Sequence, residues 1–347
     1  MSELLATLPT DRQQLLSAAR PGTELASRPM AATLTDRRDF SGEWIFERKL
    51  DGIRALAVRE GDRVALYSRT GNRLDATYPE IIEALAAQEC ADFTVDGEIV
   101  AFSGNRTDFG LLQQRMGLTR RRDVEASPVV VTYCLFDLLR LDGADTRPLP
   151  LRDRKSLLRR ALAYRAPLRF TTHRNQGGGD LLAEACDRGW EGLIAKRADS
   201  RYQTRRSPDW LKLKCSQGQE FVIGGFTEPA GSRVGFGALL LGYYDDAGAG
   251  ALHYAGRVGT GFDHRTLVIM RRYLEELRIT ASPFADRGRI REGTARWVEP
   301  CLVAQIAFTE WTRDGMLRHS RFLGLRDDKR PQEVVRERPR GSGRKAA

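Results

Sequence analysis

Several absences narrow this sequence before any motif is read. No apolar run approaches the roughly 20 residues that a bilayer-crossing helix needs. The segment from Met1 to Thr10 lacks the charged-then-apolar pattern of a secretion signal. Cysteine is sparse. The five cysteines (Cys90, Cys134, Cys186, Cys215 and Cys301) are scattered, with no C-x-x-C pair. That argues against a disulfide framework and a cysteine-rich zinc site, and fits a reducing cytoplasm. The four histidines (His173, His253, His264 and His319) are too dispersed for a zinc site or a hydrolytic triad. No G-x-x-x-x-G-K-[ST] occurs, so the chain is not a P-loop enzyme. No internal repeat is found.

What is present is charge. The 347 residues carry 56 Lys+Arg against 46 Asp+Glu, a formal net charge of +10. Such a balance points to a polyanion, most simply nucleic acid, although an arginine-favouring genome would give the same excess. A hydrophobic content of 41% is that of a soluble globular protein, and the length allows two domains.

Residues 1–27 read as a leader with a short helix over Asp11–Ala19. From Arg28 strands and helices alternate. Strands are expected at 44–49, 55–59, 64–68, 93–102, 129–137, 192–197 and 211–214, and amphipathic helices at 78–88, 151–163 and 180–188. The last helix follows Gly177-Gly178-Gly179, with Asp180 as its cap. Past residue 217 short β-rich runs are separated by glycines, with one helix near Thr266–Arg278, the texture of a small barrel. This gives domains at 28–217 and 218–330 and a basic, flexible tail at 331–347.

The chemistry concentrates in a few tracts. In Glu47-Arg48-Lys49-Leu50-Asp51-Gly52-Ile53-Arg54, Glu47 and Lys49 share a strand face, and the Asp51-Gly52 turn lets the chain reverse and bring Arg54 back. Alone, the tract reads equally well as a charged surface hairpin. In Asp96-Gly97-Glu98 the two acids share a face. In Trp210-Leu211-Lys212-Leu213-Lys214 two lysines oppose two leucines, a pattern that also protects edge strands. An acid precedes the apolar strand 192–197 at Glu191. Lysines, carboxylates and arginines facing one cleft suit a nucleoside triphosphate and a hard cation, Mg²⁺ or Mn²⁺.

Together these residues resemble the ATP-dependent DNA ligases of the covalent nucleotidyltransferase superfamily, most like the ligase module of bacterial end-joining ligases and its stand-alone relatives. The family's motifs stand in order from about Arg28 to Lys329: Lys49-x-Asp51-Gly52-x-Arg54, Ser68-Arg69-Thr70-Gly71, Asp96-Gly97-Glu98, Phe136-Asp137, Glu191-Gly192, Lys212-Leu213-Lys214 and Arg326-x-Asp328-Lys329. The resemblance implies an α+β fold, a nucleotidyltransferase domain of antiparallel sheets with flanking helices followed by an OB-fold barrel. It implies that Lys49 attacks the α-phosphorus of ATP to give lysyl-AMP. Glu47 would recognise adenine and Phe136 would stack on it. Glu98 would hold the ribose or a metal-bound water, and Glu191 the metal. Arg54, Arg69 and Arg206 would contact ribose or phosphate, while Lys212 and Lys214 would neutralise phosphate and depress the pKa of Lys49. Arg326 and Lys329 would orient the leaving pyrophosphate.

Nicked duplex DNA is the implied substrate. End-joining proteins such as Ku are the implied partners, with a monomer in the bacterial cytoplasm or nucleoid and no membrane association. Only 27 residues precede Arg28, which argues against an NAD-dependent ligase. DNA would be gripped by tracts such as Arg120–Arg122 and Arg152–Arg160. An RNA ligase or an mRNA-capping guanylyltransferase would share the lysine chemistry, and a non-catalytic nucleic-acid-binding protein would not need it.

Overall fold

The computed structural model describes residues 3–215, 217–231, 233–245, 250–290, 293–312 and 314–337. They fall into two compact units, the first ending at Cys215 and the second at Glu337.

In the first unit an eight-stranded sheet is centred on Asp92–Ser103 and Val131–Leu141, with Ile53–Glu60 and Arg63–Ser68 on one side. Its outer face is apolar because the strands alternate. Ile53, Ala55, Phe93, Val95 and Ile99 join Ile81 and Leu85 of the Pro79–Ala86 helix and Leu157 and Leu158 of the Leu151–Ala161 helix. Two β-bulges interrupt the pairing of Val131–Leu141 with Asp92–Ser103, and they leave Phe136 and Leu139 without ladder partners. A bulge re-aims side chains. Here both residues enter a second cluster with Met30, Leu56, Val58, Tyr202 and Trp210.

Trp210 belongs to a five-stranded sheet made of His173–Arg174, Trp44–Arg48, Gly192–Arg197, Arg206–Lys214 and Ala31–Leu34, in that order. This sheet has two unlike faces. Phe46, Ala195 and Leu211 lie in one row across it and Leu193 beside Leu213 in another. With Leu181, Leu182 and Ala185 of the Gly179–Asp187 helix they form an apolar layer. On the opposite face Glu47, Ile194 and Lys212 lie in one row, and Ile45, Lys196 and Trp210 in the next. Period-two alternation sorts the side chains in this way. Most pairings are antiparallel. The exceptions among the described residues of this unit are Leu168–Phe170 on Val131–Leu141 and Ala31–Leu34 on Arg206–Lys214.

The second unit winds Gln217–Thr227, Leu239–Tyr244, Leu252–Val258, Ala295–Phe308 and Arg321–Arg326 into one sheet. The His264–Glu276 helix packs on it through Leu267, Met270 and Leu274. The Phe322 N–H donates to the Thr260 carbonyl at 2.9 Å and the Ser320 hydroxyl to the Arg257 carbonyl at 2.6 Å, which draws the two ends of the sheet together.

Several expectations are corrected. The leader holds only one-turn helices, Glu3–Ala6, Thr10–Gln13 and Gly22–Leu25, because Ser17–Ala18 pairs as a strand with Ala144–Asp145. Asp180 lies inside its helix, whose cap is Gly178. The Asp51-Gly52 turn makes no hairpin: Trp44–Arg48 and Ile53–Glu60 belong to different sheets, so the turn carries the chain across from one to the other. Cys186 and Cys215 are disulfide-bonded, 29 residues apart in sequence and brought within 5.2 Å (Cα–Cα) by the packing of the Gly179–Asp187 helix on its sheet. The expected tail starts late, since Pro331–Glu333 is a 3-10 turn and Val334 is fully buried in the second unit. The rest of that tail, 338–347, lies outside the described residues.

Two glycines are required by close approach of backbone. A Cβ on Gly52 would lie 2.2 Å from the Ile99 carbonyl oxygen. Gly192, at φ 146°, would place one 1.9 Å from the Leu213 oxygen. Gly192→Ala is therefore expected to destabilise the first unit by on the order of 3 kcal/mol. A urea midpoint equal to wild type would contradict this packing.

Candidate active site

Lys49 follows directly on the Trp44–Arg48 strand, and its N–H donates to the Gly192 carbonyl at 2.9 Å. Gly192 in turn pairs with Lys214. Lys49 and Lys214 thus flank Gly192 across the polar face of the five-stranded sheet. The Lys49 ammonium is ion-paired with Glu191. Burial disfavours its charge, but Glu191, Asp51 and Glu98 outweigh burial and hold its pKa above the ordinary lysine value. The expected depression by Lys212 and Lys214 is not what the structure shows, because three carboxylates act on this amine.

Glu47 is 2% exposed. One carboxylate oxygen accepts a hydrogen bond from Lys155, and Lys196 lies 2.6 Å from the other. Lys155 also donates to the Thr171 carbonyl at 3.0 Å. Burial alone would raise the pKa of Glu47; the two ammonium groups overcome it and hold the carboxyl below the usual glutamate range. Lys196 in turn lies 4.2 Å from the Phe136 ring centroid and 4.0 Å from that of Trp210. Burial is the main reason its pKa is lowered.

Arg54 grips Asp96 through two hydrogen bonds and reaches the Met30 carbonyl at 3.2 Å. The Tyr202 hydroxyl donates to the same Asp96 at 2.6 Å. Arg54 also stacks 4.6 Å from the centre of Phe136. Glu98 pairs in register with Arg54, which brings it into the same inter-sheet region. Asp137 and Arg154 are both fully buried and bonded in a bidentate pair, Nε–Oδ1 2.7 Å and Nη2–Oδ2 2.9 Å. Arg69 is half-buried in the turn Ser68–Gly71, where the Gly71 N–H meets the Ser68 carbonyl at 2.9 Å. Arg206 is exposed and donates to the Ala32 carbonyl at 2.6 Å. Arg326 and Lys329 belong to the second unit. There Arg326 is bidentate to Asp328 at 2.7 and 2.8 Å, and Lys329 bonds Glu220 at 2.8 Å.

The first unit therefore brings one lysine with a carboxylate on its amine, a second carboxylate, two neighbouring lysines and an anchored arginine to the space between two sheets. Comparison with known proteins accords with that arrangement. The model of the ATP dependent DNA ligase domain matches residues 27–214, and that of the ATP dependent DNA ligase C terminal region matches 232–329. This chain belongs to the ATP-dependent DNA ligase family. It is 41% identical over 304 residues to the multifunctional non-homologous end joining protein LigD of Pseudomonas aeruginosa, covering 86% of this chain and 35% of that protein. The LigD of Mycobacterium tuberculosis is 41% identical over 305 residues, 86% of this chain and 38% of its own. The chain thus spans little more than a third of these relatives. A mycobacterial DNA ligase D complexed with ATP and MES matches in structure at a TM-score of 0.63, with 36% identity, over 89% of this chain and 98% of that one. The two units are accordingly the family's nucleotidyltransferase and OB-fold domains.

Within this ligase-family chain the surroundings of three assigned residues are closely packed. Glu47 is enclosed by two lysines, since a carboxylate at this depth needs cationic partners. Arg54 is fixed to Asp96. Phe136, 7% exposed, has two cations near its ring and Trp210 edge-on at 6.2 Å. The tract 152–160 is also split. Arg154 and Lys155 are buried in ion pairs, whereas Arg152, Arg159 and Arg160 are exposed. Lys155 and Arg154 are not singled out from the sequence, and Lys196 reads there only as the base that ends the apolar strand after Glu191. The signal for Arg154 and Lys155 lay in the helix itself: the buried positions 151, 154, 155 and 158 have i, i+3, i+4, i+7 spacing, and two of them are cationic.

Lys155→Ala leaves Glu47 with one cation and is expected to destabilise the first unit by about 3–5 kcal/mol at pH 7. Because the Glu47 pKa is depressed, its contribution is present above the ordinary glutamate value. It is lost as pH falls through the folded one, below about pH 4. The gap between wild type and variant should therefore narrow in acid, as read from denaturant midpoints at both pH values. Equal midpoints at pH 7 would show that the pair is open in solution.

Proposed function

We propose that this chain is a DNA ligase that uses ATP to seal 5′-phosphate/3′-hydroxyl nicks in duplex DNA. The observation that carries the reading is Lys49, set on a polar sheet face with Glu191 on its amine and Lys214 in the same row. Lys49 Nζ attacks the α-phosphorus of ATP. An N–P bond forms, the bond to the β-phosphate oxygen breaks, and pyrophosphate leaves. AMP then passes from Lys49 to a DNA 5′-phosphate, and a 3′-hydroxyl displaces it to close the strand.

The amine must lose its proton first, and below its raised pKa only about one lysine in a thousand or fewer is neutral at pH 7. Glu191, already bonded to Nζ, is placed to take that proton. Lys212 and Lys214 offset phosphate charge. Among the described residues no three His, Cys, Asp or Glu side chains gather as a ligand set. Two carboxylates, Glu98 and Glu191, fit a hard divalent cation that completes its shell with phosphate oxygens and water. Such an ion, Mg²⁺ or Mn²⁺, would supply charge neutralisation at the triphosphate. Arg69 and Arg206 are assigned to ribose or phosphate, and Arg326 and Lys329 to the leaving pyrophosphate. The relatives' end-joining names support a role in that repair process, with partners such as Ku.

Incubation with α-labelled ATP should label the wild type covalently and leave Lys49→Ala unlabelled. The labelling rate should rise with pH between 7 and 9, since the reactive amine is the minor species. Label from GTP alone would instead favour capping chemistry, and sealing of nicked RNA but not nicked DNA would favour an RNA ligase. Lys329→Ala should slow lysine adenylylation about tenfold or more while sparing the sealing of pre-adenylylated DNA. Equal loss in both steps would refute its assigned role.

A further inference from the structure

Lys49 is flanked on the other face of its strand by a group of arginines that the proposed chemistry does not use. Arg48 lies in the row of Leu193, on the face opposite the polar site. Its guanidinium is 4.7 Å from the Trp190 ring centroid and 5.9 Å from that of Phe102. Arg188 stands 5.5 Å from Trp190, and Arg169 5.1 Å from Phe102. The order Arg169, Phe102, Arg48, Trp190, Arg188 is an alternating ladder of cations and rings. Arg106 lies against Gly189, where an added Cβ would come 3.0 Å from its Cδ and 3.2 Å from its Nη1.

The ladder is short of counter-charge. Arg188 pairs with Glu184 at 2.6 Å. Arg48 donates through Nη1 to the Asn105 carbonyl at 2.9 Å, while its buried Nε and Nη2 have no hydrogen-bond partner. No carboxylate pairs with Arg48, Arg106 or Arg169 among the described residues. Burial is the main reason the Arg48 pKa is lowered; Cys134 opposes it, and the charge of Arg169 adds to it less. Arg106, Arg169 and Arg188 are exposed. By contrast, Arg121 and Arg122 of the tract first considered for DNA already face Glu125 at 2.7 Å and Asp123 at 3.4 Å.

We propose that this arginine–aromatic ladder is the track on which the phosphate backbone of the DNA duplex docks beside Lys49. Arg48 is the half-buried centre of the ladder. The exposed guanidinium groups of Arg106 and Arg169, with no carboxylate partner among the described residues, are the ones that match phosphate oxygens bidentately. Arg169 is held extended on the Phe102 face. Such contacts position a duplex without reading its sequence. The track rests on the ligase reading, since it names where that reaction's substrate lies.

The test is binding of nicked duplex DNA across a salt series by wild type and by Arg106→Ala/Arg169→Ala. Lysine labelling from ATP without DNA is measured on the same samples. The double variant should label fully and bind about tenfold more weakly near 0.1 M salt. The slope of log K against log salt should shrink by about 2, at about 0.9 per phosphate contact. Unchanged affinity and slope in a fully labelled variant would overturn the track alone. So would an equal loss from Arg121→Ala/Arg122→Ala, which would mean that only net charge is read. A wild type that never labels would sink the ligase reading instead.

Discussion

The rest of the site depends on one buried carboxylate. Glu47, 2% exposed, stays ionised at this depth only because Lys155 comes to it from a helix and Lys196 from the neighbouring strand. Desolvating three charges costs several kcal/mol per ion and is offset only by close geometry and further hydrogen bonds. The Thr171 carbonyl and the rings of Phe136 and Trp210 supply the rest. Because the three partners come from three elements, they fix the end of the Trp44–Arg48 strand. Lys49 therefore leaves that strand at a defined point.

The same constraint recurs around it. Arg54 is closed on Asp96 and Arg154 on Asp137, each with additional carbonyl acceptors. Buried ion pairs of this kind contribute little net stability, but removing one partner is costly. They act as rigid walls. Lys49 differs in its carboxylate partner: Glu191 is 23% exposed, whereas Asp96 and Asp137 are fully buried. Closed pairs around one accessible pair are a physical basis for a site that chemistry enters at a single amine.

Much of this was legible in the chain. Period-two alternation in Gly192–Arg197 and Trp210–Lys214 set leucines and lysines on opposite faces, and the folded sheet has them so. The surroundings of Glu47, Arg54 and Phe136 were less legible. A motif position says that a residue is near the chemistry, not which neighbour satisfies it. The pairing partners Lys155 and Lys196 stand 108 and 149 positions from Glu47, in segments with no tie to it in sequence. The cysteines were misjudged for the same reason, since proximity across 29 residues is a property of packing.

By itself the sequence determined which residues alternate on each strand, which lysine follows the apolar run, and the order of the charged motifs, because these follow from local backbone geometry and chain order. Only the tertiary structure decided which charges are closed and which remain open. That choice depends on burial and distance, since a charge taken out of water must find its counter-charge in space, wherever along the chain that partner stands.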